Sequence, residues 1–332
     1  MGWCSCIFSP KFLLTLFLIS AIPVGILIAL EKVPPSSHVY QYHSNSWFRE
    51  CARWDHLNRQ FIVSYLEGGL GVLKVPQDGN ADNVILDEIT VVKDGDLTGN
   101  ASVGFTIDRV RNRVLVAVGD IKGNKYSGLA AYDLTSWQRL FLAHLSSPSD
   151  EKSFADDVAV DNEGNAYVTD VKSSKIWKVD AQGQLLTTIR SPLFSFKQWY
   201  KNLVGVNGIV YHPDGYLLVI HTFSGTLYKI DLNQGDHAIK VVKLVKGSIA
   251  LGDGLELLSP NKIVVAGSYP SAQLLESSDG WETASVVGKY WGPMHRIATS
   301  ATVKDGKVYL SHMVGLGYPK RKHVIVEAKF KI

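Results

Sequence analysis

Four oxygen-bearing side chains recur at the same place in successive segments of this sequence: Glu50, Asp156, Asn207 and Asp253. Each stands seven residues before a short turn, as in "DDVAVDNEGNAYVTDV" from Asp156 and "NGIVYHPDGYLLVIHT" from Asn207. The apolar alternation that follows the polar residue is typical of a β-hairpin. A polar residue just before a strand that should be buried requires an explanation, because burying a polar group without a partner is costly.

Side chains of these four types can hold a hard cation if they point at a common centre. Three carboxylates close together repel one another and raise each other's pKa, and a cation at the centre removes that cost. Oxygen donors without His or Cys fit Ca²⁺ or Mg²⁺ better than Zn²⁺. We therefore predict a metal site formed by Glu50, Asp156, Asn207 and Asp253, with Ca²⁺ as the first choice and Mg²⁺ or another divalent cation as the alternative.

Each of these residues also has an ordinary structural interpretation. Asn207-Gly208 and Asp253-Gly254 are dipeptides that favour turns, and Asp156 could be a turn or cap residue. Taken singly, the turn interpretation is the simpler one. It does not predict a shared offset in four separate segments, and that offset favours the metal site.

The segments belong to a longer internal repeat. Six units begin at Glu50, Val103, Asp156, Asn207, Asp253 and Ala298, separated by 53, 53, 51, 46 and 45 residues. Each unit has room for four short strands, and units of this kind at about 45–50 residues are typical of propeller blades. Asp-Gly and Glu-Gly pairs punctuate the strands, and no clear helical period follows residue 40, which favours an all-β fold.

The sequence therefore predicts a six-bladed β-propeller of four-stranded blades over residues 47–332, preceded by an N-terminal hydrophobic helix. The first strand of each blade should line the central channel, so that the polar front residues meet at its mouth. The last blade could be closed by strands from both ends of the domain. Residues 31–46, with their Pro and Ser, are predicted to be a linker.

Several segments resemble the senescence-marker-protein/gluconolactonase group, a family of six-bladed propellers related to paraoxonase and diisopropyl fluorophosphatase and often described in plants as calcium-dependent phosphotriesterase-like. The resemblance rests on "ECARWD" at 50–55, "DDVAVDNEGNAYVTD" at 156–170, "VNGIVYHPDG" at 206–215 and "GDGLEL" at 252–257. It implies a divalent metal in the channel with Glu50, Asn207 and Asp253 at ligand positions. Asp156 stands where the family usually has Asn, and Cys51-Ala52 replaces the family's Gly-Pro.

The resemblance implies a metal-dependent hydrolase of lactones or esters, including organophosphate esters, acting on a small-molecule substrate. Asp253 is then the first candidate for the catalytic carboxylate, acting directly or through a metal-bound water. His295, in the segment "YWGPMHRIATS" that leads into the sixth repeat, is the candidate proton shuttle. Its alternative interpretation is an ordinary loop histidine.

Two other hypotheses belong to different classes. The chain could be a non-catalytic propeller that serves as an interaction platform, as in NHL-repeat proteins, and such a platform needs no ring of oxygen ligands. It could also be a metal-free enzyme similar to strictosidine synthase, a group that relies on a glutamate late in the chain. Glu256 and Glu282 are the only late candidates here, and neither has the matching context.

The N-terminal segment differs from the rest of the chain. Phe12 to Leu30 contains no charged residue and is long enough to cross a bilayer, which takes about 20 apolar residues. A single-pass membrane anchor is favoured, with the domain lumenal or extracellular by the positive-inside rule, and a cleaved signal sequence with secretion is the alternative. Both place the chain in the secretory pathway, and Asn100-Ala101-Ser102 is a sequon that suits this location.

The bulk composition excludes other classes. Lys plus Arg is 34 and Asp plus Glu is 31, so the formal charge of +3 gives no electrostatic case for binding nucleic acid. The three cysteines, Cys4, Cys6 and Cys51, offer no pair within the propeller and imply no disulfide framework.

Overall fold

The structure is a computed structural model that describes residues 9–32, 36–76, 85–146, 151–233 and 238–331. It divides into two compact units, Met1–Ser36 and Ser37–Ile332. The first contains helix α1 (Pro10–Lys32), whose described side chains are not buried within the protein. By length and composition α1 could cross a membrane, and a signal sequence would pass the same test. Residues 1–8, which precede the predicted anchor at residues 12–30, and residues 33–35 of the predicted linker lie outside the described residues.

The second unit consists of strands that form successive sheets, as the repeat predicts. Blade 1 contains β2 (Arg49–Asp55), β3 (Gln60–Tyr65), β4 (Leu70–Lys74) and β6 (Glu88–Val92). Blade 2 contains β7 (Ala101–Asp108), β8 (Arg113–Gly119), β9 (Ser127–Asp133) and β10 (Arg139–His144). Blade 3 contains β11 (Ala155–Val160), β12 (Ala166–Asp170), β13 (Lys175–Val179) and β14 (Leu185–Ile189).

The next two blades share one sheet. Blade 4 contains β15 (Val206–His212), β16 (Tyr216–His221), β17 (Thr226–Asp231) and β18 (Ile239–Lys246). Blade 5 contains β19 (Gly252–Ser259), β20 (Lys262–Gly267), β21 (Ala272–Glu276) and β22 (Thr283–Tyr290). The outer strands β18 and β22 pair in parallel, which joins the two blades into an eight-stranded sheet.

Blade 6 joins the two ends of the domain. It contains β23 (Ala298–Lys304), β24 (Lys307–His312) and β25 (Arg321–Glu327), and its fourth strand is β1 (Val39–Ser44). β1 pairs antiparallel with β25, from Val39 opposite Val326 to Ser44 opposite Arg321. The short β5 (Ile85–Leu86) extends this sheet by parallel pairing with β1. The fold class predicted from the sequence is confirmed.

The predicted linker differs from the structure at its C-terminal end, because residues 39–44 form β1. Tyr40 and Tyr42 alternate with more exposed residues and are buried against the first and last blades. The Pro and Ser residues at 34–37 are a turn signal, but they say nothing of the six residues beyond them. The pairing partner of this segment lies almost 290 residues away, so local sequence does not reveal it.

Most of the core lies between adjacent blades. The buried residues fall into six clusters, and each draws on neighbouring blades, as for Ile62, Phe105 and Val116 between blades 1 and 2. Four short 3₁₀ turns lie in loops: Gly95–Leu97, Pro192–Phe194, Trp199–Asn202 and Met294–Arg296. The core therefore holds the six inner strands (β2, β7, β11, β15, β19 and β23) around one channel.

Candidate functional site

The four residues predicted as metal ligands lie around one small cavity at the start of the inner strands. Glu50, Asp156, Asn207 and Asp253 line it, together with Cys51, Gly104, Asp157, Gly254, Thr299 and Ser300. The space open to the centre of a water molecule is about 10 Å³. That is about the room needed by one water molecule, or by a single ion in its place.

A repeated β-bulge explains why these residues face the channel. In five inner strands two consecutive residues oppose a single residue of the second strand, so the register shifts by one. The pairs are Glu50-Cys51, Val103-Gly104, Asp156-Asp157, Asn207-Gly208 and Asp253-Gly254. A bulge of this kind re-aims side chains and is common beside functional sites. The shared offset in the sequence is the offset of the bulge, so Asn207-Gly208 and Asp253-Gly254 lie within strands rather than in hairpin turns.

Glycine at the second bulge position allows neighbouring inner strands to approach closely. A Cβ atom on Gly208 would lie 2.1 Å from the carbonyl oxygen of Asp253. A Cβ atom on Gly104 would lie 2.6 Å from the carbonyl oxygen of Asp156. Real Cβ atoms do not approach backbone atoms so closely, so these glycines permit the narrow ring of strands that surrounds the cavity.

Blade 6 departs from the predicted pattern. In β23 only Thr299 is unpaired, between Ala298 opposite His312 and Ser300 opposite Ser311. The front residue of the sixth repeat is therefore Thr299 rather than Ala298, which is fully buried. Thr299 Oγ1 donates to the carbonyl oxygen of Glu50, and Ser300 Oγ accepts from the amide of Ala52 at 3.1 Å. These two hydroxyls join the last blade to the first beside the cavity.

Asp157 also lines the cavity, although the repeat did not predict it. Its side chain is only 5% exposed and accepts from two backbone amides, Val158 N at 2.9 Å and Ile209 N at 3.3 Å. The latter belongs to blade 4, so the carboxylate also links two blades. The sequence does contain the pair Asp156-Asp157. The shared offset, however, singles out only the first residue of each such pair.

Electrostatics in the cavity are dominated by carboxylates in a small buried space. Burial raises the pKa of Glu50 well above its usual range, and Asp156, Asp253 and Asp157 raise it further. Burial likewise raises the pKa of Asp156, and the nearby charges of Asp253, Asp157 and Asp170 add to the effect. The pKa of Asp253 is also raised, first by burial and then by Asp157, while a hydrogen bond from Asn207 lowers it. Ionising all of these carboxyls at once would place more negative charge here than the nearby positive charge balances, and the raised pKa values express that cost.

Two buried oxygen atoms at the centre lack partners within the described chain. Glu50 Oε2 and Asn207 Oδ1 accept no hydrogen bond there. Buried polar atoms are nearly always satisfied, so orphaned acceptors beside raised carboxyl pKa values fit a cation. Among the described residues, however, no three His, Cys, Asp or Glu side chains already form a metal-binding group. The donor types, charge and volume fit a hard cation, and the carboxylates would have to move closer together to hold one.

One cationic side chain, that of Arg53, lies next to the cavity. Arg53 forms an ion pair with Glu256 across the channel and donates to Phe105 O at 3.1 Å and Ala301 O at 3.3 Å. It thereby connects blade 1 with blades 2, 5 and 6. Burial raises the pKa of both Glu50 and Asp157, and the charge of Arg53 opposes part of that rise. Farther along the channel, Arg53 and Glu256 also line a larger cavity of about 180 Å³ with Thr106 and Tyr211.

The histidines are not part of the cavity lining. His295 lies in the 3₁₀ turn before β23, on the same face of the propeller, and is half-buried. His221 and His312 end second strands and are fully buried, which lowers their pKa values to about 4 and about 3. The structure thus brings the four predicted ligands together and leaves His295 outside their cavity.

Comparison with solved structures shows the same fold. A protein assigned as a gluconolactonase aligns with a TM-score of 0.57 and 12% identity, covering 90% of this chain and 94% of that one. A Bacteroides caccae protein of unknown function aligns at 0.53 and 14% identity, over 75% of this chain and 82% of that one. An inactive virginiamycin B lyase from Staphylococcus aureus, solved with quinupristin, aligns at 0.50 and 11%, over 87% and 99%.

The structural alignments show the fold alone, because sequence identities this low carry no information about activity. No family profile matches the chain, and no curated protein matches it.

Proposed function

We propose that the propeller is a divalent-cation-dependent hydrolase of lactones or esters, organophosphate esters among them, with Ca²⁺ as the cation. The observation that carries this proposal is the convergence of Glu50, Asp156, Asn207 and Asp253 on one ion-sized cavity. Orphaned oxygen atoms of Glu50 and Asn207 and the raised carboxyl pKa values support it, because each would be relieved by a bound cation. The resemblance of the sequence to the gluconolactonase-like propellers points to the same chemistry.

The four donors would hold the cation, leaving coordination positions for water and substrate. A bound divalent cation supplies Lewis acidity, which polarises a carbonyl or phosphoryl oxygen and lowers the pKa of water. Asp253 is the catalytic carboxylate in this proposal, since it lines the cavity and Asn207 orients it by a hydrogen bond. Asp157 contributes negative charge from a position fixed by two amides, and Arg53 balances part of that charge.

His295 has a weaker place in the proposal than Asp253. It does not line the cavity, but its loop leads directly into β23, which contributes Thr299 and Ser300. A proton shuttle at the mouth of the channel is compatible with that position. We therefore keep His295 as the candidate shuttle and Asp253 as the residue that acts on the substrate.

The two rival hypotheses predict different properties. For a metal-free enzyme, Glu256 would have to be available, yet it is engaged with Arg53. The other late glutamate, Glu282, lies in an exposed turn 3.0 Å from the ammonium of Lys240. A non-catalytic platform would gain nothing from three carboxylates and an amide in one cavity, and it would be indifferent to chelators.

The proposal is tested by hydrolysis of an aryl ester, a lactone and an aryl phosphate triester by the full chain. We expect activity on at least one of them with Ca²⁺, its loss in EDTA and its return with added Ca²⁺. Asp253→Asn should abolish it, because the substitution keeps the shape and removes the charge. Asp279→Asn is the matched control, since Asp279 caps an exposed turn by accepting from Thr283 N at 3.0 Å. Equal loss in both variants, or activity that ignores EDTA, would contradict the proposal.

We also propose that α1 anchors the chain in a membrane, with the propeller on the lumenal or extracellular side. The supporting observation is a 23-residue apolar helix without buried side chains. A cleaved signal sequence is the alternative. N-terminal sequencing of the protein in both the carbonate-washed membranes and the released soluble fraction separates the two, because the anchored form stays in the membranes with residues 12–30 and the cleaved form is soluble and lacks them.

A further inference from the structure

The exposed aromatic side chains of the propeller lie on one face. We call it the cavity face: the loops that precede the inner strands and those that join second to third strands. Among the described residues, every aromatic side chain that is exposed outside α1 lies in these loops: Trp47, Phe48, Trp199, Tyr200, Tyr269, Trp291 and Tyr318. Tyr318 is 89% exposed and Trp199 is 74% exposed. Large aromatic side chains at loop tips gain nothing from the core, so their position on one face points to an external contact.

The half of the cavity face that contains these aromatic residues has no acidic residue in its loops. Seven consecutive loops around the ring make up this half of the cavity face: 190–205, 222–225, 247–251, 268–271, 291–297, 313–320 and 45–48. They contain no Asp or Glu, but they do contain Lys197, Lys201 and Lys320, together with Arg190, which pairs with Glu151, and the buried Arg296. The other loops of this face have mixed charge: among the described residues they contain Glu67, Asp94, Asp96, Asp120 and Glu151 beside Lys93, Lys122, Lys125, Lys152 and Lys172.

The opposite face has the reverse character. Its described loops contain no exposed Phe, Trp or Tyr side chain, and their acidic residues, which include Asp161, Glu163, Asp180, Asp214, Asp279, Glu282 and Asp305, outnumber the basic residues Arg59, Arg109, Arg111, Lys329 and Lys331. The near-zero net charge of the chain therefore hides a separation of charge between its two ends. An anionic surface would be attracted to the aromatic half of the cavity face and repelled by the opposite face.

We propose that this aromatic and basic half of the cavity face docks on a lipid surface with anionic headgroups. Trp and Tyr with nearby Lys and Arg are the composition that the lipid–water interface favours, because the rings sit at headgroup level and the cations meet lipid phosphates. The aromatic residues are distributed over five separate loops. That spread fits a broad fluid surface better than the central buried anchors of a protein interface.

Local contacts keep some of these side chains at the surface. The Arg321 guanidinium stacks 4.2 Å above the Trp47 ring, and Tyr269 and Trp291 meet edge to face with centroids 5.0 Å apart. Lys197 and Lys320 are exposed and form no ion pair with the described residues. The face thus offers oriented rings and free cations together. Docking does not depend on a metal, but it would bring the mouth of the cavity to the bilayer.

The test measures the environment of each face in the full chain, held by its N-terminal helix in phosphatidylcholine nanodiscs and mixed with separate vesicles. In a Cys4→Ser/Cys6→Ser background, Tyr318→Cys carries an NBD fluorophore on the cavity face. Val110→Cys carries it on the opposite face, where Val110 is 85% exposed. With about 30% phosphatidylserine, we expect a blue shift and about a twofold gain in intensity at position 318 and none at position 110.

A charge-reversal pair tests the role of the cations. Lys197→Glu/Lys320→Glu should abolish the response at position 318, while Lys74→Glu/Lys243→Glu, on exposed sites away from the cavity face, should leave it unchanged. Equal responses at positions 318 and 110, or the same response in neutral vesicles, would overturn the proposal. So would a response that appears only when an acidic protein replaces the vesicles. The hydrolase proposal is tested on the chain without vesicles, so the outcome of the docking experiment does not bear on it. The docking proposal and the hydrolase proposal can therefore fail separately.

Discussion

At the scale of single residues, the cavity is defined by charge that the chain does not balance. Glu50, Asp156, Asp157 and Asp253 lie together, and among the described residues the cation that acts on Glu50 and Asp157 is Arg53, which also pairs with Glu256. The residue types that create this excess are visible in the sequence. One of the two amides that hold Asp157, Ile209 N, comes from another blade, so its effect could not be predicted without the fold.

The raised carboxyl pKa values predict a pH dependence of stability. Above their ordinary pKa of about 4, these groups hold more protons in the folded chain than in the unfolded chain. In EDTA their contribution to the free energy of unfolding should therefore fall as pH rises from about 4 toward 7, the value that Asp253 reaches. Each unit of pKa shift corresponds to about 1.4 kcal/mol. With Ca²⁺ in excess the fall should be absent.

Urea unfolding from pH 4.5 to 7.5, with and without Ca²⁺, measures this effect. His221, His312 and His323 are buried with lowered pKa values and act in the opposite direction, since their contribution is lost as pH falls below about 6.5. They act equally in both conditions, so the difference between the two curves isolates the carboxylates. Parallel curves with and without Ca²⁺ would show that the carboxylates are not linked to the cation.

At the scale of elements, the bulged inner strand is the unit that positions the site. The repeat spacing and the Asp-Gly turns predicted the blades, because hairpins carry local signals. The bulge adds one residue per strand and appears in the sequence only as a pair such as Asp156-Asp157. For the same reason the sixth front residue was assigned to Ala298 instead of Thr299, since the irregularity in β23 is shorter.

The close approach of inner strands predicts a strong effect of adding one methyl group. Gly208→Ala should destabilise the propeller by about 1–3 kcal/mol and weaken metal binding, because its Cβ meets the backbone of Asp253 at 2.1 Å. Gly95→Ala is the control, since a Cβ there meets nothing within 4 Å, and its effect should stay within about 0.5 kcal/mol. Thermal and urea unfolding measure both. Similar values for the two variants would mean that the strands can separate without cost.

At the scale of the whole molecule, the propeller presents two unlike ends around one channel. Closure of blade 6 by β1 and β25 brings the two ends of the domain into one sheet and completes the ring that the cavity requires. The number of blades followed from the repeat. The use of β1 as the last strand and the separation of aromatic and acidic loops between the faces depend on which loops the fold brings together, and spacing alone does not show that.

The most direct test of the account is calorimetric titration of the metal-stripped full chain with Ca²⁺ near pH 7. The account predicts one bound Ca²⁺ per chain, with a binding heat that depends on the ionisation enthalpy of the buffer, because carboxyls with raised pKa values release protons as the cation binds. It also predicts a gain in stability of about 2.7 kcal/mol when free Ca²⁺ is a hundredfold above the dissociation constant. Absence of binding at millimolar Ca²⁺, or binding that Asp253→Asn leaves unchanged, would contradict the central claim that these four side chains form a cation site.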